Sequence, residues 1–77
     1  MAEPLLTYRR FRYHKPSRAG VERIENVRQA CRDLESVLLE HVPPGRELSL
    51  ALTKLEEAAM WANKAIVLGD PDSTVID

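Results

Sequence analysis

The sequence predicts an all-α fold: an antiparallel two-helix hairpin with an extended N-terminal arm, assembled into a homo-oligomer. Three observations carry this expectation. Two apolar stripes recur at three- and four-residue spacing, a Pro43-Pro44-Gly45 breaker separates them, and 77 residues are too few to enclose both stripes. Residues 1–68 form the expected hairpin unit with its arm, and residues 69–77 a C-terminal tail.

From Met1 to Gly20 no helical period exists, and Pro4, Pro16 and Gly20 punctuate the segment. Pro16 biases Lys15 toward extended backbone, so the arm reads as extended or coiled up to a turn. Ser17 then caps a helix starting near Arg18. Val21, Ile24, Val27, Cys31, Leu34 and Val37 or Leu38 place one apolar stripe on that helix, with His41 continuing the line. The two prolines end it, because neither has a backbone N–H to donate.

The second helix starts between Arg46 and Ser49, with Ser49 itself a candidate cap. Leu48, Leu52, Leu55, Ala58 or Ala59, Ala62 and Ile66 form its main stripe, and Gly69, Asp70 and Pro71 close it. Met60 and Trp61 widen the stripe. Leu52, Leu55, Ala59, Met60, Trp61 and Asn63 are the candidate oligomer interface, where the small alanines permit close approach. The tail Pro71–Asp77 lacks a helical period and reads as a flexible segment or a short docking strand.

The chain carries 11 Lys and Arg against 12 Asp and Glu, but unevenly. Residues 1–20 hold five cations against Glu3, a local charge of +4, while residues 47–77 sum to -4. This disfavours a coat for long polyanions and leaves room for a small anion site near the arm. The single Cys31 excludes an intrachain disulfide and a Cys-only metal cluster. His14 and His41 match no metal-ligand spacing, and the adjacent Glu56 and Glu57 point in different directions on a helix rather than opposing each other. No enzyme, cofactor or metal is expected. Without a signal peptide or long apolar run, a cytosolic location is the default.

The segment Arg9-Arg10-Phe11-Arg12-Tyr13-His14 carries the most chemistry. If it is extended, Phe11 and Tyr13 share one face, and Arg10, Arg12 and His14 the other. Such an arm can stack an aromatic ring on a base while guanidinium groups meet phosphate oxygens. Alternatively, Phe11 packs the arm on the hairpin and the arginines face water. Arg28 borders the first stripe, either as a ligand contact or paired with Glu25 or Glu35 on the helix surface.

Several strings stand in an ordered series: Phe11-Arg12-Tyr13-His14-Lys15-Pro16, Arg23 and Arg28, Pro44-Gly45-Arg46-Glu47, Ser49-Leu50-Ala51-Leu52-Thr53, Leu55-Glu56, Met60-Trp61-Ala62-Asn63 and Ala65-Ile66. Together they resemble the small phage anti-defence hairpin family that includes the anti-CBASS sponge and the hairpin domain of an anti-Thoeris sponge. The resemblance implies a homohexamer, a trimer of dimers, that sequesters cyclic dinucleotides such as 3',3'-cyclic GMP-AMP between protomers in the cytoplasm of the infected host. Some members also hold cyclic trinucleotides at separate sites. It further implies that Tyr13 stacks on a purine, that Phe11 packs the arm, that Arg12 and His14 complete the pocket, and that Arg28 borders it. Where relatives often continue Ala-Ile with Ala and Arg, this chain has Val67 and Leu68, without that cation. Two other functions stand against the sponge: a protein-interaction or assembly module using Met60 and Trp61, and a small binder of linear DNA or RNA. The acidic second half opposes the latter.

Overall fold

A computed structural model describes residues 13–76, with the side chain of Ile76 excepted. The described elements are strand β1 (Tyr13–Lys15), helix α1 (Arg18–His41), helix α2 (Arg46–Leu68) and strand β2 (Thr74–Ile76). The two helices pack as an antiparallel hairpin, and the two strands pair into a small ribbon beside it. The fold is thus mostly helical, as the two apolar stripes require, with a ribbon that no local periodicity announced.

Local chemistry sets each helix end. Ser17 is extended at φ -69° and ψ 174°, and its Oγ accepts the Gly20 N–H at 3.1 Å, satisfying one of the donors that a helix start leaves open. At the other end the Val42 N–H still reaches the Leu38 carbonyl at 2.9 Å before the prolines stop the chain. Gly45, not Ser49, caps α2. Its φ of 153° with ψ of -170° is a region that only glycine enters at little cost, and its carbonyl already accepts the Ser49 N–H at 3.1 Å. Ser49 therefore lies inside the first turn. Gly69 terminates α2 as expected, its N–H bonded to the Ala65 carbonyl at 2.9 Å.

Ile24, Val27, Cys31 and Leu38 of α1 are half-buried, as are Leu52, Leu55, Ala59, Ala62 and Ile66 of α2. Among the described residues only Leu48 is a buried apolar side chain, at 8 % exposure. Val21, Leu34 and Val37, which belong to the α1 stripe by spacing, stay exposed. The reason is geometric: one partner helix covers a strip narrower than a full apolar face, so the flanks of both stripes remain open. With extents of 50 × 24 × 18 Å, the chain is a rod whose apolar surface is only partly covered.

The ribbon pairs Tyr13 with Ile76, His14 with Val75 and Lys15 with Thr74 in antiparallel register. The C-terminal segment is thus a docking strand rather than a loose tail.

Candidate ligand-binding site

Alternation along β1 separates the two arm residues that the family resemblance places in one pocket, as the extended-arm reading expects. Tyr13 is 68 % exposed, and His14, one residue on, is 7 % exposed beneath the ribbon, on the side that meets α2. The tyrosine ring is therefore available to a ligand while the imidazole is turned into the protein. Phe11 and Arg12 lie outside the described residues. Lys15 and Thr74 are exposed, and both share the outer face of the ribbon with Tyr13 by register.

Behind this strand lies a dense polar cluster. Asp70, only 3 % exposed, accepts the Ser17 N–H at Oδ2 (2.7 Å), and the Ser17 hydroxyl sits 2.8 Å from Oδ2 and 3.0 Å from Oδ1. The Asp72 N–H donates to Oδ1 at 3.0 Å. These donors, with Ser17 first and the more distant Arg23 charge last, hold the Asp70 carboxyl below its ordinary value of 3.8 against the opposing effect of burial. The first turn of α1 contains no acidic residue of its own, so Asp70 supplies the negative charge that a helix N-terminus favours. Gly20 makes room for it: a Cβ there would overlap Asp70 Oδ2 and approach Pro16 Cβ to 3.1 Å.

Arg28 stands ten residues into α1, about 15 Å along the axis from its start. Its Nη1 is 3.0 Å from Glu25 Oε1 in an exposed ion pair. With Cys31, Arg32, Glu35, Leu52, Leu55 and Ala59 it borders a groove of about 200 Å³ along the helix seam. Neither Tyr13 nor His14 lines the groove that Arg28 borders.

The candidate interface residues divide between two faces of α2. Leu52, Leu55 and Ala59 face the α1 seam, whereas Met60 and Trp61 are 65 % and 63 % exposed on the outer surface. There Trp61, Lys64, Ala65 and Leu68 border a concavity of about 440 Å³, with the Lys64 ammonium 5.7 Å from the Trp61 ring centroid. Asn63 is half-buried, and its Oδ1 is enclosed without a hydrogen-bond partner among the described residues. Neither Lys64 nor Leu68 is a candidate site residue by sequence, although both lie three or four residues from Trp61 or from each other on one helical face.

The described residues contain no group of His, Cys, Asp and Glu able to hold a metal ion, and no described helix is long and apolar enough to cross a membrane. The exposed features among the described residues thus include the Tyr13 ring, a seam groove bordered by both arginines and glutamates, and the Met60 and Trp61 side chains. The Acb2/Tad1 hairpin domain family model matches residues 4–67, and the chain belongs to this family. No curated protein and no solved structure matches it significantly.

Proposed function

We propose that this chain is a phage signal-sequestering sponge that binds cyclic dinucleotides such as 3',3'-cyclic GMP-AMP without cleaving them, and so keeps CBASS effectors inactive in the cytoplasm of the infected host. The observation that carries the reading within the family is Tyr13, 68 % exposed on a strand paired along its length. A ring fixed in this way stacks on a purine at little ordering cost. In this reading Tyr13 forms one wall of the pocket, Arg12 and Phe11 precede it, and Arg28 approaches from a second protomer. His14 shapes the pocket from beneath the ribbon. The partly covered stripes support a homo-oligomer, in its finer form a hexamer built as a trimer of dimers, with Met60, Trp61 and Asn63 at the outer interface. Cyclic trinucleotide binding at a separate site is the less supported extension, since Val67 and Leu68 offer no cation.

Native mass spectrometry of the protein titrated with a panel of cyclic di- and trinucleotides tests this function. An assembly that takes up a small integral number of intact ligands supports it. No uptake across the panel refutes it.

The exposed Trp61 patch also favours a second reading, a module that captures a polypeptide. Stable capture of a protein without nucleotide, lost in Trp61→Ala while the assembled mass is kept, would favour that reading.

A further inference from the structure

The family hairpin ends at residue 67, yet the most concentrated polar contacts among the described residues come from the segment beyond it. Asp70 takes the backbone and hydroxyl donors of Ser17, two residues after Lys15. Thr74, Val75 and Ile76 then pair with Lys15, His14 and Tyr13 in register. The strand that presents Tyr13 is thus held at its C-terminal end by a carboxylate and along its length by β2. A three-residue strand has no stability of its own, so the tail adds to the buried His14 in fixing where Tyr13 stands.

We propose that residues 70–76 form a clasp that holds the Tyr13 strand ready for the ligand, with Asp70 as its positioning residue. The inference rests on the sponge reading, in which Tyr13 stacks on a cyclic nucleotide. The coupling follows from population arithmetic: apparent affinity falls in proportion to the fraction of chains with the strand docked. A variant docked one-tenth of the time therefore binds about tenfold more weakly. By the same linkage, bound nucleotide tightens the clasp. Gly20 fits this assignment, because the space it leaves is filled by the Asp70 carboxylate.

Two full-length variants test the clasp from different sides. Asp70→Ala removes the carboxylate, and Val75→Pro breaks the ribbon while leaving Asp70 in place. Each is titrated calorimetrically with 3',3'-cyclic GMP-AMP, with native mass, helical circular dichroism and amide hydrogen exchange at residues 13–15 followed in parallel. The expected result is an affinity loss of about tenfold or more and faster exchange at residues 13–15, with assembled mass and helicity unchanged. Asp70→Asn, which keeps one acceptor, is expected to recover part of the affinity. Adding Tyr13→Ala to Asp70→Ala is expected to cost no more than Tyr13→Ala alone, because both act through one ring. If the clasp variants bind like the wild type while Tyr13→Ala loses binding, the clasp is overturned and the sponge reading stands. If the wild type binds no member of the cyclic nucleotide panel, the reading fails and the clasp fails with it. Should Asp70→Ala lose its assembled mass, Val75→Pro decides; loss in both overturns the proposal, since the tail would then hold the oligomer rather than the strand.

Discussion

Replacing Trp61 with alanine separates the stability of the hairpin from the strength of its assembly. A tryptophan side chain buries roughly 150–250 Å² when fully enclosed. At 63 % exposure, about 95–160 Å² of this ring remains for a partner. At about 25 cal/mol per Å², covering it contributes about 2–4 kcal/mol, a factor of roughly 30 to 1,000 in association for each ring buried. Within the lone hairpin the ring is mostly exposed, so Trp61→Ala should leave helicity nearly unchanged while the assembly dissociates at much higher protein concentration. Sedimentation velocity across a dilution series reads that shift. The chain has a single tryptophan, so its fluorescence gives an independent reading: the wild-type emission should move to the red as dilution separates the protomers. Unchanged dissociation in Trp61→Ala, or a fully water-exposed emission at concentrations where the mass is that of the assembly, would refute the assignment of this face to the interface.

Tyr13→Ala should weaken cyclic dinucleotide binding by the stacking of one base, about 1–3 kcal/mol or roughly 5- to 150-fold, whereas Tyr13→Phe should keep most of it; calorimetric titration distinguishes the two. Leu48→Ala removes the one buried apolar side chain among the described residues and should cost about 2–3 kcal/mol in urea unfolding, the low end for such a change because the surrounding seam is open. The Asp70 carboxyl is lowered in the folded chain, so its contribution is present above its unfolded value of 3.8 and fades as the pH falls through the lower folded value. Exchange at residues 13–15 should therefore accelerate, relative to the intrinsic rate, on acidification below pH 3.8, and Asp70→Asn should abolish that dependence.

The parts of this fold that were legible in the sequence are those encoded within one or two helical turns. Ser17 as a cap, the prolines and Gly69 as stops, and the seam line from Leu48 to Ile66 all follow from spacing and backbone chemistry. Ser49 misled because its hydroxyl is a good cap in isolation, while the backbone conformation open to Gly45 started the helix one turn earlier. Leu34 and Val37 misled differently: helical period tells which side of α1 is apolar, but the covered width depends on how many helices pack there. The contact between Ser17 and Asp70 spans 53 residues, and no periodicity links its ends. Asp70 read as part of a helix stop, and its second role appears only once the hairpin returns the chain to the start of α1.

The same distinction explains why the candidate site was only half legible. Alternation in an extended arm puts Tyr13 and His14 on opposite faces, and the structure leaves the tyrosine outside and encloses the histidine. What sequence spacing could not give is the setting of Arg28, which stands about 15 Å along α1 from the helix start, on the rim of the seam groove. On that rim the Glu25 carboxylate already occupies the Arg28 guanidinium at 3.0 Å. An exposed pair of this kind contributes about 0–1 kcal/mol, less than a charge-assisted bond to a desolvated phosphate, so Glu25 can be displaced. Where Tyr13 and Arg28 grip one small ligand from different copies, as proposed, assembly becomes a condition for binding. Dilution of the wild type to protomers should for that reason abolish nucleotide uptake as effectively as Tyr13→Ala does, a result that a pocket complete within one chain would not produce.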